Sequence, residues 1–301
     1  METIKEQILR LKKEKNAVIL AHFYQTMDIQ EIADVVGDSF ELAKRAKASD
    51  ADIIVLCGVR FMAESAKILN PEKRVLLPAA DAGCPMADMV TPEDVRELKA
   101  AYPEAAVVCY INSSAAVKAE SDICCTSSSA EKVIRSLKQD KIIFIPDQNL
   151  GAYAATKVPE KEFILFSGFC PIHHHVTAED VLAAKAAHPD ALFLIHPECK
   201  PEVLAYADMI GSTSQILEYA AKSDHKEFVI GTEIGVVERL AKFHPEKRFF
   251  LLSLGFTCVN MKKTRLSDVL AALQEEKNEI HMTEEEIAAA ALSLQRMVAV
   301  G

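Results

Sequence analysis

No apolar run in this chain reaches the roughly 18 residues that a membrane-spanning helix needs, so no membrane partner is expected. The first residues, Met1-Glu2-Thr3-Ile4-Lys5-Glu6, carry acids and no apolar signal segment, which leads to the expectation of a cytoplasmic protein. A basic tract is also missing. The net charge is −10 over 301 residues, which argues against nucleic acid as a partner. There is no Walker phosphate loop, no Gly-x-Gly-x-x-Gly and no Gly-x-Ser-x-Gly elbow, so neither a purine cofactor nor an elbow serine is indicated. What is present is an apolar half, enough for a sizeable core, and eight cysteines. Without a secretion signal these read as reduced thiols, available for metal ligation or core packing rather than disulfides.

The cysteines gain order from a repeat. Pro245-Glu246-Lys247-Arg248 leads through an apolar run to Gly255-Phe256-Thr257-Cys258. The same phrase runs from Pro71-Glu72-Lys73-Arg74 to Gly83-Cys84, and from Pro159-Glu160-Lys161-Glu162 to Gly168-Phe169-Cys170. The prolines stand 88 and 86 residues apart, the cysteines 86 and 88. Upstream, Thr91-Pro92-Glu93-Asp94-Val95 opens a helix and returns as Thr177-Ala178-Glu179-Asp180-Val181. Short apolar runs such as Ala17–Ala21, Ile53–Cys57 and Lys141–Ile145 suit parallel strands covered on both faces. They alternate with helical segments, among them Ile29 to Val36. The pattern predicts an α/β protein of βαβ units with right-handed crossovers. We expect three pseudo-threefold-related, three-layer αβα domains with four-stranded parallel sheets, at 1–86, 87–172 and 173–261. The helical tail, 262–301, is expected to pack back on the first domain.

Ligands of parallel α/β sheets gather beyond the carboxyl ends of the strands, and the repeat puts polar residues at those ends. His22 maps to Tyr110 and His196; Tyr24 maps to Asn112 and Glu198. If the three sheets point inward, Cys84, Cys170 and Cys258 meet, and three thiolates suit an iron–sulfur cluster or zinc. The bland alternative is ordinary core cysteines, which is how Cys57, Cys109, Cys124 and Cys125 are read. Ser39, Ser127 and Thr213 start helices, where hydroxyls and free N–H groups either bind an anion or simply cap. His196 and Glu198 alternate on one strand end and so share a face. Glu198 is expected to be a general base with a raised pKa, and Tyr24 a matching acid. Of the consecutive His173-His174-His175, only His173 is expected to reach the site. No lysine occupies the repeated rim positions, so a Schiff base is not favoured.

Ala21-His22-Phe23-Tyr24-Gln25, Gly37-Asp38-Ser39, Tyr110-Ile111-Asn112-Ser113, Thr126-Ser127-Ser128, Gly168-Phe169-Cys170-Pro171-Ile172-His173, His196-Pro197-Glu198 and Gly211-Ser212-Thr213-Ser214 together resemble quinolinate synthase. The resemblance implies three α/β domains that each give one cysteine, Cys84, Cys170 and Cys258, to one [4Fe-4S] cluster per chain. It also implies condensation of iminoaspartate with dihydroxyacetone phosphate, with release of phosphate and water, in NAD biosynthesis. His22, Ser39, Ser127, His196, Ser212 and Thr213 would hold carboxylates and phosphate. Tyr24 and Glu198 would exchange protons, Tyr110 and Asn112 would position intermediates, and L-aspartate oxidase would supply iminoaspartate. The family's frequent proline after the third cysteine is absent here, as is any Cys-x-x-Cys pair beside it. Two other readings compete: a three-domain radical S-adenosylmethionine enzyme of the diphthamide-synthesis type, which has no need of the His22/Tyr24/Asn112/Glu198 ring, and a non-enzymatic cluster sensor.

Overall fold

The computed structural model describes residues 2–300. Its strands form three all-parallel, four-stranded sheets with one shared topology. The first sheet contains β1 (Ala17–His22), β2 (Val35–Gly37), β3 (Ile53–Cys57) and β4 (Arg74–Leu76) in the order β2-β1-β3-β4. The second contains β5 (Ala106–Tyr110), β6 (Ile123–Cys125), β7 (Lys141–Ile145) and β8 (Glu162–Leu165), ordered β6-β5-β7-β8. The third contains β9 (Leu192–Ile195), β10 (Met209–Ile210), β11 (Glu227–Gly231) and β12 (Arg248–Leu251), ordered β10-β9-β11-β12. Helices follow the strands, as parallel connections require. The α/β fold with three parallel sheets is the one expected.

The recurring polar residues maintain this topology. Asp34, Asp122 and Asp208 each accept a hydrogen bond from the first strand of their unit, at Ile19 N (2.8 Å), Val107 N (2.7 Å) and Phe193 N (2.8 Å). Each also donates its own backbone N–H to that same residue's carbonyl. One aspartate thus closes both main-chain groups just before the edge strand begins. Thr3/Glu6, Thr91/Asp94 and Thr177/Asp180 form capping boxes at equivalent helix starts. The lysine of each Pro-Glu-Lys phrase caps the end of a preceding helix. Lys161 Nζ donates to the Leu137 and Gln139 carbonyls at 3.0 and 2.6 Å, and Lys247 Nζ to those of Ala220, Ala221 and Ser223 at 2.7, 2.9 and 2.7 Å. Lys73 makes the corresponding bond to the Ser49 carbonyl. A cation there meets the negative end of a helix dipole.

Asp208→Ala would leave the buried Phe193 N–H without its acceptor, which costs about 1–3 kcal/mol. A lower midpoint in urea unfolding, with an unchanged slope, is the expected readout. An unchanged midpoint would show that the bond contributes nothing net.

One expected element is corrected. The segment read as a helix from Ile29 to Val36 is helical only over Met27–Ile32, and Val35–Gly37 instead pairs with β1 from Leu20↔Val35 to His22↔Gly37. A strand of three residues is too short to show its own period, but two adjacent β-branched valines favour it over helix. The tail divides its packing. Leu266–Glu275 lies on the first unit, where Val269 and Leu273 share a buried cluster with Ile8, Ile19 and Val55. Glu284–Val300 reaches the second unit as well. Ser293 Oγ donates to the Lys118 carbonyl at 2.9 Å, and Arg296 to the Asp122 carbonyl at 2.7 Å. Among the described residues no helix is long and apolar enough to cross a membrane.

Candidate active site

The carboxyl ends of the three sheets surround one cavity of about 200 Å³. His22, Tyr24 and Ser39 reach it from the first unit, Tyr110, Asn112 and Ser127 from the second, and His173, His196, Glu198 and Thr213 also line it. So do Cys84, Cys170 and Cys258. Ser212 does not line it: its Oγ accepts from Gln215 N at 3.4 Å as the cap of helix Thr213–Lys222. Capping falls to the preceding residue in the first unit too, where Asp38 accepts from Phe40 and Glu41 N. The Ser39 hydroxyl is therefore spared that task; Ser127, expected at a helix start, instead lies three residues before helix Ala130–Ser136, whose cap position is Ser129, and neither hydroxyl has a partner among the described residues. Asn112 Oδ1 is buried with no hydrogen-bond partner. A buried unpaired acceptor and free hydroxyls around one cavity are what a polar ligand would satisfy.

His22 and His196 are built alike. The Tyr24 N–H donates to His22 Nδ1 at 3.1 Å, and the Glu198 N–H to His196 Nδ1 at 3.3 Å. A nitrogen that accepts carries no proton, so each neutral ring has its N–H at Nε2. Burial pushes both imidazoles down to about 3, against the opposing pull of Glu198. With His196 neutral, its 3.8 Å approach to Glu198 is not an ion pair.

Glu198 is the centre of the polar network. Its Oε1 accepts from the Tyr110 hydroxyl at 2.6 Å, and its Oε2 lies 2.8 Å from His173 Nδ1. Burial alone would raise this carboxyl, but His173 foremost, then the adjacent His196 and the hydrogen bonds from His173 and Tyr110, more than offset it and hold the group below the ordinary carboxylate range. The expectation of a raised Glu198 pKa is thus overturned: two donors stabilise the anion. Tyr24 is shifted well up, by burial and then by the negative Glu198, and keeps its proton. Its hydroxyl lies 3.0 Å from Thr213 Oγ1 and 2.8 Å from Thr232 Oγ1, and Thr232 in turn lies 3.0 Å from His173 Nε2. A continuous path of hydrogen-bonding groups therefore joins Glu198 to Tyr24. Of the other two imidazoles, His174 pairs with Asn149 at 3.0 Å and His175 is exposed.

The three thiols share one local design. Burial raises all of them, Cys84 to about 12, and Cys258 pushes Cys84 up further. Backbone N–H groups two or three residues on pull the other way: Met86 and Ala87 at Cys84, His173 at Cys170, Asn260 and Met261 at Cys258. Such donors stabilise a thiolate once a cation is there to share its charge. None of the three is in a disulfide. Cys170 Sγ, His173 Nδ1 and a Glu198 oxygen also lie within 4.8 Å of one another, a group able to hold a metal ion. By contrast Cys57, Cys109, Cys124 and Cys125 are buried in strands.

Sequence reasoning missed the layer behind this rim. Thr232 is one example. Lys262, whose Nζ donates to the Tyr24 carbonyl at 2.8 Å and lies 3.1 Å from the buried Glu233, is another. Their only signal was position: Thr232 and Glu233 directly follow the third strand of the third unit.

Residues 6–299 match the family described as Quinolinate synthetase A protein. The chain is 60% identical over 279 residues to "Quinolinate synthase" of Alkaliphilus metalliredigens (strain QYMF), across 93% of this chain and 92% of that one. Its similarity to "Quinolinate synthase" of Caldicellulosiruptor saccharolyticus is 54% identity over 298 residues, across 99% and 98% of the two chains. A third "Quinolinate synthase", from Methanoregula boonei, is 53% identical over 296 residues, across 98% of each.

Proposed function

Because the chain belongs to the quinolinate synthase family, an enzyme family of NAD biosynthesis, we propose that it condenses iminoaspartate with dihydroxyacetone phosphate to quinolinate, releasing phosphate and water. We place the enzyme in the cytoplasm, with L-aspartate oxidase as the source of iminoaspartate. The observation that carries the proposal is one cavity lined by a cysteine from each repeat and by the register-equivalent pairs His22/Tyr24, Tyr110/Asn112 and His196/Glu198. Both proposed substrates are anions, and the rim is suited to them. His22 and His196 each offer a neutral Nε2–H, Ser39 offers an unpaired hydroxyl in the first turn of its helix, and Ser127 offers one from the loop before helix Ala130–Ser136. Thr213 adds a hydroxyl already held by Tyr24, and Ser212 contributes by fixing that helix start rather than by touching substrate.

Ring formation from these substrates demands proton transfers. Glu198, held ionised by Tyr110 and His173, takes a proton, and Tyr24, held neutral, gives one. Tyr110 and Asn112 orient the chain of the condensing intermediate between them. Cys84, Cys170 and Cys258 would hold a [4Fe-4S] cluster, and the fit rests on three free thiols, each with backbone N–H donors at its sulfur, around a cavity that keeps an unpaired buried acceptor. Bound there by three cysteines, such a cluster supplies one iron with an open position, a Lewis acid toward a departing hydroxyl.

Protein purified without oxygen is expected to carry about four iron and four sulfide per chain and to form quinolinate from the two substrates. Zinc in place of iron and sulfide would overturn the cluster assignment. A loaded protein that makes no quinolinate would overturn the substrate assignment.

A further inference from the structure

The backbone N–H groups of two of the three cavity cysteines end on buried carboxylates. Asp147 caps helix Gln148–Lys157 by accepting from Leu150 N through Oδ1 at 2.8 Å, and its Oδ2 accepts from Cys170 N at 3.0 Å. Glu233, its register equivalent, caps helix Ile234–Phe243 by accepting from Gly235 N at 2.7 Å, and its other oxygen accepts from Cys258 N at 3.3 Å. Both side chains belong to residues that are 0% exposed. In the first unit the same place is held by Val59, which caps helix Arg60–Leu69 with no side-chain bond.

One other connection is common to all three units. The N–H groups of Arg60, Gln148 and Ile234 donate to the carbonyl two residues before the cysteine, at Ala82, Gly168 and Phe256, at 2.8, 2.8 and 2.9 Å. A carboxyl group on the cysteine N–H is present in the second and third units and absent from the first, whose loop is tied instead at Asp81 by Lys263 Nζ at 2.8 Å. Capping does not explain the carboxyl group. A cap needs one oxygen, and a serine, threonine or asparagine supplies that without burying a carboxyl; glutamate is not among the favoured caps. The second oxygen of Asp147 accepts the cysteine N–H, and that of Glu233 accepts the cysteine N–H and also lies 3.1 Å from Lys262 Nζ.

We propose that Asp147 and Glu233 are positioning residues of the metal centre, each bracketing one cysteine loop in ligating geometry, so that Cys84, which has no bracket, is the ligand released first. This rests on the cluster reading above. The three cysteines then differ in kind: Cys170 and Cys258 form the firm part of the site, and the Cys84 loop is the part that opens when the cluster is built or lost.

The test uses the anaerobic holoprotein challenged with excess EDTA in the presence of iodoacetamide, following iron release and, by mass spectrometry, the order in which cysteines are alkylated. In the unaltered protein Cys84 is expected to be labelled before Cys170 and Cys258. D147N keeps the capping oxygen but turns an amide N–H toward Cys170 N. It should speed iron release by about 10- to 100-fold and bring Cys170 labelling forward; E233Q should do the same for Cys258. Simultaneous labelling of all three, or Cys170 or Cys258 first, overturns the proposal, and does so without relying on any variant to fold. A folded D147N that holds iron as long as the parent also overturns it. Protein isolated without iron and sulfide overturns the cluster reading and the bracket together, whereas iron-loaded protein with the wrong labelling order overturns the bracket alone.

Discussion

Glu198→Gln is expected to lower kcat for quinolinate formation by about 10²- to 10⁴-fold while leaving iron and sulfide content unchanged. The substitution preserves side-chain volume and one acceptor oxygen, so Tyr110 keeps a partner for the bond it makes at 2.6 Å. What is lost is the negative charge that His173 and Tyr110 are arranged to stabilise, and with it the capacity to take a proton. Because the variant's cysteines and their N–H donors are untouched, the two readouts separate chemistry from assembly. The comparison requires steady-state rates and iron analysis on the same anaerobic preparation. Near-normal turnover would remove Glu198 from the acid–base role, and a parallel fall in iron would recast it as a support for the metal site.

Cys84→Ala should weaken cluster binding by more than about 100-fold and abolish quinolinate formation, since loss of a direct ligand exceeds the cost of losing a supporting contact. The physical case is electrostatic. Burial makes each isolated thiolate unfavourable, Cys84 being pushed up to about 12, and nearby negative groups add to it, Cys258 at Cys84, Glu198 and Cys84 at Cys170 and Glu233 at Cys258, so the three sulfurs ionise together only when bound metal compensates them. With one sulfur gone, the remaining two stay protonated and the site stays open. Cys57→Ala provides the contrast. Cys57 is buried in β3, away from the cavity lining, and its removal should leave iron content intact. Iron analysis and the visible absorption of the cluster check both variants. A full complement of iron in Cys84→Ala would disprove the three-cysteine site.

The repeat was legible because every unit solves the same local problems with the same residues. Asp34, Asp122 and Asp208 recur because each first strand needs an acceptor where the chain turns to its edge strand, and Lys73, Lys161 and Lys247 recur because each helix end needs a cation. Those needs are local, so they leave a periodic trace. The strand-end residues that line the cavity carried the same trace, and the family resemblance reinforced it. The two-to-three-residue edge strands, β2 in particular, left too little sequence to show a period.

The sequence by itself determined the α/β fold of three parallel sheets and the family. Only the tertiary structure decided how the groups around the cavity behave. Glu198 is held ionised rather than protonated because Tyr110 comes from the second unit and His173 follows Cys170, partners far apart in the chain. Ser212 caps a helix instead of facing the cavity, and Asp147 and Glu233 reach cysteines that lie 23 and 25 residues away. Periodicity records what each segment needs for itself. The charge state of a buried group depends on which side chains other segments bring within a few ångströms, and that is set only when the three units close on one cavity.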